Sequence, residues 1–161
     1  MSNTKTIHVP HLGGIDAAYQ MPHPYNLSKP TLVLVNSFTT SSELYREQYE
    51  SKEITDKMNL LAIELLGHGQ TRTKREQWTY WDTAEMNLQV LDALGIERAF
   101  VLGTSQGGWI TVRMAVMRPE KVFPVSNNTS IWAEDLKTNG WVCRDIYIDC
   151  RNHPPRHING L

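Results

Sequence analysis

The sequence predicts an α/β fold with a mostly parallel sheet flanked by helices, and three observations predict it. Two continuous runs of β-branched residues and leucine, TLVLV at Thr31–Val35 and LLAIEL at Leu60–Leu65, suit strands buried on both faces, as parallel strands are. A helical stripe of Trp81, Ala84, Leu88 and Leu91, stepping by three, four and three, lies between the second run and a third at Ala99–Leu102. Strand and helix patterns therefore alternate along the chain, the order that βαβ units produce.

Taken in order, Thr4–Pro10 is short and mixed, and with Ile15–Gln20 across the Gly13-Gly14 turn it reads as a β-hairpin. MPHPYNLSKP has three of the chain's eight prolines in ten residues and reads as loop. After the two apolar strands, the cluster Arg72–Lys74–Arg75 reads as a solvated loop. Thr79 with Asp82 resembles a capping box, and Gly95 suits the residue past the helix end. A further helix is expected over Gln106–Met117, stopped by Pro119. Val122–Val125 suits a strand, with Pro124 arguing against a central place in the sheet. Beyond it the pattern fades: a short helix near Ala133–Thr138 precedes the polar end RNHPPRHING.

Length and charge narrow the function classes. The 161 residues suffice for one ordinary domain. Sixteen basic and seventeen acidic residues give a net charge of −1, which argues against a nucleic-acid binder that works through a concentrated basic face. No apolar run is long enough for a membrane span, and MSNTKTIHVP lacks the apolar core of a signal peptide. A soluble cytoplasmic protein is the expectation. The sequons at Asn26, Asn127 and Asn128 then read as chance, and the C-terminus Asn159-Gly160-Leu161 carries no peroxisomal address. Cys143 and Cys150 make no disulfide framework. With His153 and His157 they have an irregular spacing for zinc, so neither a metal nor a cofactor is expected.

The sharpest chemical signal is Gly103-Thr104-Ser105-Gln106-Gly107, a G-x-S-x-G between an expected strand and an expected helix. In that context it reads as a nucleophile elbow, a tight turn that lifts a serine hydroxyl above the sheet. Glycines flank the serine because a Cβ there meets the neighbouring strand and helix. The helix that starts at Gln106 puts free N–H groups and a positive dipole end beside any oxyanion.

With this motif, the segments LVLVNSFTTSSELY, LLAIELLGHGQTRT, TYWDTAEMNLQVLDALGI and VLGTSQGGWITVRMAVMRPEKV resemble the N-terminal part of an α/β-hydrolase, over residues 12–122. More narrowly they are similar to filamentous-fungal members of secondary-metabolite and toxin biosynthesis. The resemblance implies that Ser105 is the nucleophile and that the amides of Phe38 and Gln106 form the oxyanion hole. Asn36-Ser37-Phe38 stands where such hydrolases usually have His-Gly-x, and the missing glycine at Ser37 leaves that loop's backbone path open. LLGHGQT resembles the turn after the next strand, with Glu64 where Asp is usual and Leu66 where Pro is usual; there His68 is implied to shape the loop. Trp109 and Met114 are read as packing residues. A serine at position 105 points to acyl transfer, whereas an aspartate there would suit epoxide chemistry.

A serine nucleophile needs a base and an orienting acid, and in this family both follow it along the chain. Only 56 residues follow Ser105, too few for two further strand–helix units of ~30 residues each. The acids on offer are Glu134, Asp135, Asp145 and Asp149, and the histidines His153 and His157. The expectation is a single incomplete hydrolase domain with a divergent tail at 123–161, truncated before the last strands and lacking its triad acid and base. An early end to the sheet would leave an open edge for self-association. The expected function is a serine hydrolase acting on a small ester-, lactone- or thioester-like metabolite. Its alternative is a catalytically inactive binding protein or a non-functional fragment.

Overall fold

The computed structural model describes residues 4–128, and for residues 124–128 the backbone alone. Two antiparallel strands, β1 (Lys5–Val9) and β2 (Ile15–Gln20), form the expected hairpin around a 3₁₀ turn at His11–Gly13. Residues 21–30 are loop. The strand β3 (Thr31–Val35) leads through a 3₁₀ turn at Ser42–Tyr45 into two short helices, α1 (Arg46–Glu50) and α2 (Lys52–Thr55). Then follow β4 (Asn59–Ile63), the two-residue strand β5 (Arg72–Thr73), α3 (Tyr80–Ala93), β6 (Ala99–Thr104), α4 (Gln106–Met117) and β7 (Val122–Asn128).

The sheet order is β1-β2-β4-β3-β6-β7, with β5 paired to β2. The strands β4, β3, β6 and β7 run parallel, and the hairpin adds the antiparallel end. Sequence and structure agree on why the central strands are apolar throughout: all five residues of β4 are buried, and in β3 only Leu32 is partly exposed. Register matters more for function. Val35 pairs with Ile63 on one side and with Gly103 on the other. Val35, Ile63 and Gly103 thus lie level, and the residues that follow them (Asn36, Glu64, and Thr104 with Ser105) emerge together at one edge.

The basic cluster is a correction. Arg72 and Thr73 form a strand, pairing with Asp16 and Ile15, although the Arg72, Lys74 and Arg75 side chains are exposed as expected. A strand of two residues is too short for an alternating pattern to show. The segment 42–55 was also missed, because its helices of five and four residues are too short for a 3.6-residue period to repeat. β7 is longer than Val122–Val125 and pairs parallel with β6, Pro124 lying opposite Val101 where the register shifts. That irregularity accommodates a residue without an N–H to donate.

α3 carries its expected stripe: Ala84, Leu88 and Leu91 are buried, while Trp81 is half-buried near Arg113. Asn87 packs against α4, its amide reaching Met114 Sδ at 3.6 Å. The capping box is complete, with Thr79 Oγ1 accepting from Asp82 N and Asp82 Oδ2 accepting from Thr79 N at 2.7 Å. Gly95 closes the helix with φ 69°. Burial alone would raise the Asp82 carboxyl, but the Thr79 hydroxyl and amide and then His11 outweigh it and hold the group below its ordinary value. A lowered native pKa stabilises above the unfolded value of about 4 and ceases to as pH falls through the lower native one. Asp82→Ala should therefore cost about 1 kcal/mol in urea unfolding at pH 7, and the gap to the parent should close as pH falls below about 4.

Candidate active site

The elbow forms where β6 turns into α4. Ser105 is exposed at the C-terminal edge of the sheet, with φ 51° and ψ −115°, a left-handed conformation that a residue with a side chain adopts only under constraint. The constraint comes from both flanking glycines. A Cβ on Gly103 would overlap the backbone of Gly107 and Gly108, and one on Gly107 would overlap the carbonyls of Val35 and Asn36. Thr104 and Gln106 fill the other two positions of the motif, and Gln106 is the first residue of α4, so its N–H is one of the unpaired donors at the helix start.

The same contact sets the loop after β3. Asn36 is 1% exposed and its side chain serves both sides of the sheet edge. Its Nδ2 donates to Ser37 O at 3.0 Å and to Thr40 O at 2.8 Å, while its Oδ1 accepts from Leu65 N at 3.2 Å. Ser37 needs no glycine, because the left-handed residue of this loop is Thr39, with φ 58°. Phe38 lies between them, its ring 64% exposed and set edge-on to His68 with centroids 5.8 Å apart. The structure thus brings the Phe38 loop, His68 and the elbow to one edge.

A buried carboxylate organises the turn after β4. Glu64, 2% exposed, accepts from Ser42 Oγ at 2.7 Å, Ser42 N at 3.2 Å and Gln70 N at 2.6 Å. A Cβ on Gly69 would overlap its carboxyl group. His68 Nδ1 lies 3.0 Å from Leu66 O, a loop-shaping contact of the kind expected for it. Met114 is fully buried and Trp109 half-buried, so both pack. Trp109, Tyr80 and Trp81 surround the Arg113 guanidinium at 5.2–5.7 Å, and burial lowers its pKa.

Sequence reasoning passed over Tyr45. It is 3% exposed, donates its phenol O–H to Val35 O at 2.6 Å, and lies 3.2 Å from Thr104 Oγ1. No periodic signal marks it; only the short SSELY turn holds it. Also unforeseen is the pair of His11 Nε2 and Asp82 Oδ1 at 2.9 Å. It sits at the β1–β2 turn, and β4 and β3 stand between β2 and β6, so a lateral offset on the order of 15 Å, at ~4.8 Å per strand, separates it from the elbow.

A polar recess of about 690 Å³ lies beside Gln20, Glu43, Arg46, Glu64 and Gln70, away from Ser105. Hydrogen bonds from Gln20 and then Arg46 hold the Glu43 carboxyl below its ordinary value. No group of three metal-ligating side chains occurs among the described residues. No helix among them is long and apolar enough to cross a membrane. The acids Glu134, Asp135, Asp145 and Asp149, the histidines His153 and His157, and the cysteine pair lie outside the described residues.

The glycine contacts give a direct test. Gly95→Ala meets no neighbour and strains only the backbone, which costs about 1–2 kcal/mol. Gly107→Ala meets carbonyl oxygens that cannot turn aside, and should cost more than about 3 kcal/mol in urea unfolding.

Comparison with known proteins agrees with this architecture. Residues 30–125 match the family model for the alpha/beta hydrolase fold. The chain is 30% identical over 108 residues to the uncharacterized hydrolase YugF of Bacillus subtilis, covering 66% of this chain and 38% of that protein. It is 27% identical over 147 residues to 3-oxoadipate enol-lactonase 1 of Acinetobacter baylyi, covering 89% and 52% respectively. A crystal structure of a hydrolase from Pseudomonas aeruginosa superposes with a TM-score of 0.68 at 29% identity, covering 79% of this chain and 47% of that one. The chain thus spans about half, or less, of the length of these relatives. By its fold and by the family match, the chain belongs to the α/β-hydrolase family.

Proposed function

We propose that the protein is a serine hydrolase of small ester- or lactone-like metabolites. The observation that carries this reading is the left-handed backbone of Ser105, held exposed between two glycines at the start of α4. Strain of ~1–3 kcal/mol at an exposed serine is the mark of a site rather than of a scaffold. The enol-lactonase likeness supports the ester or lactone class. The narrower likeness to fungal members adds secondary-metabolite or toxin biosynthesis as a proposed setting, which rests on the sequence segments alone.

In this proposal Ser105 Oγ bonds to the acyl carbon and its proton passes to a base. The carbonyl oxygen becomes an oxyanion held by the N–H groups of Phe38 and Gln106. Collapse expels the alkoxide, which takes up the proton, and water then releases the acid from Ser105. Backbone amides suffice for the hole, so Asn36 and Ser37 in place of His-Gly do not abolish it. The chemistry requires no metal and no cofactor. The base is proposed to be a histidine supplied by a complete chain and oriented by a carboxylate, in the family's order of serine, acid and histidine.

A second reading, a hydrolase-like domain that binds without turnover, is favoured by one observation. Each of the four described histidines is engaged elsewhere: His8 with Asp16, His11 with Asp82, His23 with Tyr49 O and His68 with Leu66 O.

One experiment separates the two. A fluorophosphonate, whose fluoride leaves as Oγ bonds to phosphorus, should label Ser105 in an active form of the protein. Ser105→Ala should abolish labelling and lower hydrolysis of p-nitrophenyl butyrate by about a thousandfold or more. Absence of labelling, or turnover unchanged in the alanine variant, would leave the binding reading.

A further inference from the structure

We propose that Tyr45 is a positioning residue, a single phenol that fixes the Phe38 loop and the Ser105 elbow relative to each other. The proposal rests on the reading of Ser105 as nucleophile, and it follows from where the phenol oxygen sits. Tyr45 donates its one O–H to Val35 O at 2.6 Å. With that proton committed, the Thr104 hydroxyl, 3.2 Å away, is left to donate to the phenol oxygen. One atom therefore joins the last residue of β3 to the residue before Ser105.

The carbonyl it holds is also the one on which Gly107 rests, since a Cβ there would overlap Val35 O. Three segments converge at this junction: the end of β3 that leads to Phe38, the first turn of α4 against Val35 O, and the end of β6 through the Thr104 hydroxyl on the phenol oxygen. A shift of this carbonyl would therefore disturb both segments that carry the proposed oxyanion donors, the loop that leads to Phe38 and the start of α4.

The phenol is itself held in place. Tyr45 is buried among Leu34 and Ala62, and burial raises its pKa, so it keeps its proton. It closes the 3₁₀ turn that begins at Ser42, and Ser42 is fixed by Glu64 at 2.7 Å and by Tyr49 Oη donating to its carbonyl at 2.9 Å. The turn after β4 is thus coupled to the elbow through Ser42 and Tyr45. A buried apolar ring needs no hydroxyl to fill its space, so the placement of Oη at this junction points to geometry rather than to packing.

Tyr45→Phe keeps the ring and removes the oxygen, and Thr104→Val removes the second hydroxyl. Two measurements on the full chain test the proposal. In hydrogen exchange, the N–H groups of Thr40 and Gly108, which bond to Ser37 O and Ser105 O, should exchange at least about fivefold faster in Tyr45→Phe. Those of Leu88–Leu91 in α3 should not change. In fluorophosphonate labelling, the maximal rate should fall about tenfold or more while the concentration for half-maximal rate stays within about twofold. Thr104→Val should act in the same direction, and the two effects should be non-additive.

Unchanged exchange, or exchange that quickens equally in α3, overturns the proposal as plain packing. Local quickening with an unchanged labelling rate overturns it too, because the elbow then needs no such tie. If the parent chain does not label at all, the hydrolase reading falls, and the exchange measurement alone decides whether Tyr45 fixes the two segments.

Discussion

The close approach of Gly107 to the carbonyls of Val35 and Asn36 is the contact on which the rest of the edge depends. It brings the start of α4 onto the end of β3 without an intervening side chain. Once that distance is set, β6 must turn sharply to enter α4, and Ser105, the residue at the turn, takes the left-handed backbone that lifts it out of the sheet. The strain is local, but the interactions that impose it are not. The parallel registers of β3 with β4 and β6 place Val35, Ile63 and Gly103 level. Burial of the apolar strands on both faces holds those registers, since a one-residue slip would exchange the side chains packed on the two faces and break their fit.

Polar groups do the remaining work at that level. Asn36 satisfies backbone groups on both sides of itself, in its own loop and at Leu65. Glu64 gathers three donors from two segments. Each is almost fully buried and each is paired, as buried polar groups must be if they are not to cost about 1–3 kcal/mol apiece. Their role is specificity of geometry: an apolar residue in either place would fill space without tying one loop to another. The C-terminal edge of the sheet is therefore framed by buried polar side chains, while the sheet beneath it is held by apolar ones.

This division explains what was legible in the sequence. The strands β3, β4 and β6 and the helices α3 and α4 announce themselves because their apolar residues repeat with a period, or without interruption, over enough positions to be recognised. Ser105 is legible because glycine is the only residue that fits on either side of it, so packing leaves a trace in the letters. Tyr45 and Asn36 leave none. Their importance comes from hydrogen bonds to backbone atoms of segments apart in sequence, and a backbone acceptor such as Val35 O has no letter of its own. The strand β5 is hidden for a related reason. Its two residues pair with β2 through the backbone while their charged neighbours point to solvent.

In the proposed mechanism, this part of the molecule would set a reaction type sooner than a substrate. Everything proposed for the oxyanion comes from backbone N–H groups at Phe38 and Gln106, placed by the strand register and by two glycines. Backbone amides recognise charge that develops on oxygen, whatever acyl group bears it. Discrimination between acyl groups needs side chains shaped around them, and at this edge the described residues offer chiefly the exposed Phe38 ring set against His68. An aromatic wall favours apolar acyl groups over charged ones through burial alone, at about 25 cal/mol for each Å² covered. A methylene more or less against such a wall changes binding by only about 1 kcal/mol. The geometry fixed by Gly107 therefore constrains where charge can form far more tightly than which ester or lactone carries it.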